Sequence, residues 1–414
     1  MSSVPSSPSA ADIDRAAHAA LNELRSRRPP RLARELETSL AALEKTDALG
    51  PEHAFALGVL GTIQSARSDL ADATSTFAQV LALAGGQFDV LAHARAELAL
   101  IGLRQGLWDE AARHASVADQ LARRHRLTEQ IPAAVAAGAL VPAAKGELPT
   151  ALARIDEAET LAEVRPTVLA GAIILHARLC IAIGLNDWAL LQRLLDEADA
   201  SGSVRHFRPE EWFALRLLAA WHLGQRALSD ELHADWAATL DVRADPYYHA
   251  FESVLHSRDG RHADEVRSIR RALELLGPAQ DPLGRTWVRI VAGTAISKYG
   301  GASAAPEGLA VYKEARAELA RIGASIFVAR CDSIIATTSR LLEDAAASNP
   351  ITVLSEQQQR VARLVSHGYT SNEIAPMLGV SKKTVDFHVG NILARLGVTN
   401  RREIRRIIVE ADRA

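Results

Sequence analysis

"TSNEIAPMLGVSKKTVDFHVGNILARL" (370–396) holds two short amphipathic segments joined at Gly379. Thr370 followed three residues later by Glu373 has the spacing of a capping box, in which hydroxyl and carboxylate satisfy free backbone N–H groups reciprocally. Ser381 stands where the second segment needs an N-cap. Gly379 suits the left-handed residue that ends the first. These signals predict one helix over 371–378 and another over 382–396. At about 100° per residue, Val385, Val389, Ile392 and Leu396 fall within one narrow arc, a core stripe. Opposite lie Lys383, Phe387, Gly390 and Ala394, with Thr384 and Asn391 beside them.

The same cap chemistry recurs on either side. Ser355 with Gln358, and Asn400 with Glu403, predict further helices over 355–367 and 400–411. Residues 351–414 therefore read as a four-helix domain, preceded by a short polar linker (345–350) within "EDAAASNP". Its middle pair is a helix-turn-helix arrangement, whose second helix can enter the DNA major groove. Charge agrees with an anionic partner. Residues 351–414 carry ten Lys and Arg against six Asp and Glu, whereas the remainder carries 37 against 44. A Phe placed opposite the core needs a partner: a thymine methyl is one, with Gly390 allowing close backbone approach. A protein-facing patch is the other reading.

With these landmarks in place, "LSEQQQRVARLVSHGYTSNEIAPMLGVSKKTVDFHVGNILARLGVTNRREI" resembles the LuxR-type helix-turn-helix domain. The matches are Leu354-Ser355, Val361, Gly368, Glu373-Ile374-Ala375, Leu378, Val380-Ser381, Thr384-Val385, His388, Ile392, Leu396-Gly397-Val398 and Arg401. The resemblance implies a four-helix DNA-binding domain that dimerises through its last helix. Three departures stand out: Gln357-Gln358 for Arg-Glu, Ser371-Asn372 for Asn-Lys, and Asp386 for a frequent Lys. On this reading Lys382 and Lys383 neutralise phosphates at a helix N-terminus. Ser371 and Asn372 anchor the backbone, while Thr384, Phe387 and Asn391 face base edges. Asp386 flanks that arc, and His388 sits at the boundary between core and phosphate.

Upstream, the segments "GLWDEA" (106–111), "GELPTA" (146–151), "GLNDWA" (184–189) and "GQRALS" (224–229) share a phase, and "SDLADA" (68–73) has the same shape with Ser for Gly. Each Gly can close one helix in a left-handed cap, and the small residue five later lets the next helix pack closely. "LGTIQSARSDLADATSTFAQVLAL" (60–83) resembles a tetratricopeptide repeat, with Leu60-Gly61, Ala73 and Phe77 at its small and aromatic packing positions. The expectation is all-α: a tetratricopeptide-like solenoid of about seven helical hairpins over 10–344, after a disordered N-terminus (1–9). Such a body offers a concave face to an unknown peptide, protein or small-molecule effector.

Several functions lack their signature. There is no G-x-x-x-x-G-K-[ST], no H-E-x-x-H and no Cys/His cluster, so no enzyme, cofactor or metal site is expected. The start lacks an apolar signal segment. The most apolar window, 169–185, contains His176 and Arg178 and reads as a buried helix rather than a membrane span. Cys180 and Cys331 form no C-x-x-C pattern, which suits free thiols in a cytoplasmic protein. "RSRRPPR" (25–31) reads as an inter-helix loop. Together these features point to a cytoplasmic, homodimeric transcription regulator binding double-stranded DNA. An interaction scaffold whose tail no longer binds DNA specifically is the alternative.

Overall fold

The computed structural model describes residues 9–25, 31–201, 207–277, 281–300, 304–348 and 350–411, and among them regular structure is helical throughout. The expected disorder of 1–8 and the core of the basic run, 26–30, lie outside the described residues, while Ser9 accepts from the Asp12 N–H and opens the first helix. Two compact units are present, one formed by residues 1–291 with 315–330 and the other by 292–314 with 331–414.

The first unit is a row of hairpins. These are α1 (Ala10–Arg25) with α2 (Arg31–Lys45), α3 (Ala54–Ala66) with α4 (Leu70–Leu83), and α5 (Phe88–Gln105) with α6 (Trp108–Arg124). Then come α7 (Ile131–Lys145) with α8 (Leu148–Val164), and α9 (Val168–Leu185) with α10 (Trp188–Ser201). The row continues with α11 (Pro209–His222) and α12 (Arg226–Thr239), then α13 (Pro246–Arg258) and α14 (His262–Leu275). Within the row the leading helices also pack on one another, α3 on α5, α5 on α7, α7 on α9 and α11 on α13. Beyond it lie α15 (Pro282–Tyr299), α16 (Ala304–Ile322) and α17 (Ser325–Ser348). Among the described residues seven hairpins are thus complete by Leu275, and three further helices follow up to Ser348. The expected linker also gives way, because α17 continues through residues 345–348. The alanines of "EDAAAS" favour helix more than the polar residues oppose it.

The hairpin turns explain the sequence period. Ser68, Gly106, Gly146, Asn186, Gly224 and Gly260 all have positive φ, from 58° to 82°. The cap expected at Gly184 falls instead on Asn186: Gly184 is buried within α9, and Asn tolerates the left-handed region. Small residues do permit close approach where expected. At Gly61 an added Cβ would lie 2.8 Å from the Phe77 ring, which is itself fully buried. We therefore expect Gly61→Ala to destabilise the body by about 1–2 kcal/mol through overpacking, despite the gain in helix propensity. Chemical denaturation checks this, and a stabilised variant would show that the ring moves freely.

Helix α9 is long and apolar enough to cross a membrane by length and composition, but 67% of it is buried inside the protein. His176 on this helix stacks on Phe207 with ring centroids 4.3 Å apart. Other histidines are engaged by neighbouring carboxylates, His249 by Glu252 and His262 by Glu265. Among the described residues no group of three or more His, Cys, Asp or Glu side chains is placed to hold a metal.

Candidate nucleic-acid interface

The second unit contains four short helices, α18 (Glu356–Ser366), α19 (Ser371–Leu378), α20 (Lys382–Leu396) and α21 (Arg401–Ala411). Their starts carry the expected caps. The Gln358 N–H donates to Ser355 Oγ, and the Ser355 N–H donates to Gln358 Oε1 at 3.0 Å. Glu373 accepts from the Thr370 N–H at 2.8 Å and from its hydroxyl at 2.9 Å, which hold its carboxyl below the usual range. Asn400 Oδ1 accepts from the N–H groups of Arg402 and Glu403. Glu403 itself reaches the Thr399 N–H, one residue earlier than the expected box.

Between α19 and α20 the chain turns at Gly379 (φ 66°) and re-enters helix behind Ser381, whose Oγ accepts from the Thr384 N–H at 3.1 Å. Val385, Val389 and Ile392 of α20 join Val361 of α18, Ile374 of α19 and Ile404 of α21 in one buried cluster. Among the described residues this core draws on residues within 351–408. The buried Gln358 closes the capping box and also accepts from Arg395 at 3.1 Å.

Burying the stripe fixes what α20 presents outward. Lys382, Lys383, Asp386 and Phe387 are exposed, as are Gly390 and Ala394, and Phe387 is 66% exposed. Thr384 and Asn391 are half-buried at the edges of this face, and the Thr384 hydroxyl lies 2.8 Å from Ser381 Oγ. His388 is half-buried beside Phe387, edge-on at 6.0 Å, with a buried Nδ1 that makes no hydrogen bond. Asn372 is exposed at the start of α19.

Ser371 departs from expectation. It is buried, and its hydroxyl accepts from Arg401 Nη1 at 2.9 Å while Arg401 Nη2 donates to the Tyr369 carbonyl. Its side chain therefore ties α19 to α21. Arg395, in the last turn of α20, is likewise engaged within the domain, donating to the Val353 carbonyl at 3.0 Å. Neither partner is readable from local spacing, because the contacts span 30 and 42 residues.

Residues 352–408 match the family model GerE, "Bacterial regulatory proteins, luxR family". This segment is a luxR-family domain. Similar curated proteins include the transcriptional activator protein EsaR of Pantoea stewartii subsp. stewartii, 41% identical over 61 residues, which are 15% of this chain and 24% of EsaR. The transcriptional activator protein EchR of Dickeya chrysanthemi is 38% identical over 60 residues, 14% of this chain and 24% of EchR. The oxygen regulatory protein NreC of Staphylococcus aureus is 36% identical over 62 residues, 15% of this chain and 29% of NreC. The chain spans about a quarter of the length of these relatives.

Proposed function

We propose that the protein is a sequence-specific, DNA-binding transcription regulator whose helix α20 reads the major groove of double-stranded DNA. The observation that carries this reading is the outward face of α20. An apolar ring, Phe387, is left open beside two lysines at a capped helix N-terminus, while the opposite face is fully spent on the core. Lysine charge and the helix dipole suit phosphates, and a ring beside a Gly suits a base edge. Lys382, Lys383 and Asn372 are the backbone-facing groups on this account. Thr384, Asp386, Phe387 and Asn391 face bases, with His388 at the rim. The relatives' names, two of them transcriptional activators, support the same role.

The stacked hairpins, tetratricopeptide-like in their pairing, act as a cytoplasmic sensor of a peptide, protein or small-molecule effector, and the working form is a homodimer. Support for the sensor role is architectural: such arrays present extended surfaces to partners.

Replacing Lys382 and Lys383 with Ala tests the interface. Binding of the full chain to duplex DNA should weaken for all sequences. The salt slope should flatten by up to about 0.9 for each phosphate that a lysine no longer neutralises. A titration series with an unchanged slope removes both lysines from the interface.

A further inference from the structure

The C-terminal ends of α5, α7 and α9 each meet residues from far along the chain. At Gly106 an added Cβ would meet Pro282 at 2.4 Å and Ile322 at 3.4 Å. At Gly146 it would meet the Ile326 side chain at 3.2 Å, and at Gly184 the same side chain reaches to 4.0 Å. Polar contacts follow the same path. Ser325 Oγ donates to the Lys145 carbonyl at 3.1 Å, and Arg330 Nη2 donates to the Gly184 carbonyl. The Lys145 side chain in turn lies over Gly323, 3.2 Å from where a Cβ would sit. Helix C-termini leave carbonyls without intrahelical donors, and here residues of one short segment supply donors to two of them.

That segment is partly exposed, although Ala324 within it is fully buried. Gly323 breaks the chain between α16 and α17 at φ 78°, Gly323 and Ser325 are exposed, and Ile326 and Arg330 are only half-buried. It also begins α17, which runs without interruption from Ser325 to Ser348, and the short helix that opens the luxR-family domain starts at Pro350. We propose that Gly323–Arg330 is a releasable intramolecular strap across the C-terminal ends of α7 and α9, and that its opening is the signal α17 carries to the DNA-binding domain. The control half of this proposal rests on the regulator reading above; the strap itself does not. Seating of the strap fixes one end of α17, and release frees the helix to pivot at Gly323.

Hydrogen exchange on the full-length chain reads the strap alone. Amides from Val328 to Arg330 should exchange by local opening, at least ~100-fold faster than the core amides of α5 and α7. Ile326→Asp should speed them further while leaving α5 and α7 unchanged. Binding of the same full-length chains to a random-sequence duplex of about 30 base pairs reads the coupling: Ile326→Asp and the milder Arg330→Ala should each shift Kd by about fivefold or more, and Arg330→Lys should restore it. Exchange of 328–330 only with global unfolding makes the segment permanent core and overturns the strap. Local opening with an unchanged Kd in both variants overturns its control of DNA binding. If the wild-type chain binds no duplex, the regulator reading fails and the control half falls with it, whereas the exchange pattern still decides the strap.

Discussion

Replacing Glu97 with Gln is expected to stabilise the repeat body at pH 8 by about 3 kcal/mol and to leave it unchanged near pH 4.5. Glu97 lies on α5, 1% exposed, with Ser65 Oγ of α3 donating to its Oε2 at 3.0 Å. Its Oε1 makes no hydrogen bond, and the nearest cationic candidate, His93 Nε2, is 3.9 Å away. That imidazole is no help, because the atoms packed around it push its own pKa down and keep it neutral. Burial drives the Glu97 carboxyl up to about 7, although the Ser65 and Thr62 hydroxyls and the Arg104 guanidinium pull the other way.

Unfolded, the same carboxyl returns to 4.5. Between the two values the folded state binds more protons than the unfolded one, so stability falls as pH rises from about 4.5 to about 7 and is level above. Each unit of that separation costs about 1.4 kcal/mol, which gives the expected gain for an uncharged amide of the same shape. Urea unfolding of both proteins across pH 4.5–8 checks the size and the window. A gain independent of pH would assign the effect to packing, and a loss at pH 8 would mean that the ionised carboxylate is paired after all.

Glu97 also shows where sequence reading stops. In "LAHARAELALIGLRQ" it looks like an ordinary surface charge at helical spacing. Only the stacking of α5 on α3 sets Ser65 against it, and only the third dimension brings Glu211 to Arg104, 107 residues apart, in a buried pair at 3.0 Å. Signals that act within one turn were legible. Ser355, Thr370, Ser381 and Gly379 placed the ends of α18, α19 and α20 within a residue or two, since caps are local chemistry. The hairpin phase was legible for the same reason, except where Asn186 took over from Gly184. The outward face of α20 followed from helical period alone, so Lys383, Phe387, Gly390 and Ala394 emerge exposed where the arc put them. The tie between Ser371 and Arg401 was not legible, because Arg401 approaches from another helix. The helical run through 345–348 was missed for the opposite reason: a Pro-terminated polar stretch suggested a break that the preceding alanines do not make.

Asp386 carries the remaining prediction, and the geometry narrows its role. A carboxylate one turn after Lys382 is badly oriented for an i,i+4 pair, worth at most about 0.5 kcal/mol. Among the described residues no ion pair engages it, and its side chain is exposed. If α20 reads DNA as proposed, two roles remain for Asp386. A carboxylate accepts from a cytosine amino group, discriminating by roughly 1–3 kcal/mol. It also repels phosphate wherever that donor is absent, which lowers affinity for wrong sites. Both act in the same direction, so Asp386→Ala should tighten binding to random duplex while relaxing preference at one base pair. Asp386→Lys should tighten it further and steepen the salt slope by up to about 0.9, the signature of one more phosphate neutralised. Selection from a random library gives the preference, and salt titration gives the slope. Should Asp386→Ala leave both random-duplex affinity and the selected motif unchanged, the carboxylate is a solvated helix charge, and base choice rests on Phe387 and Asn391.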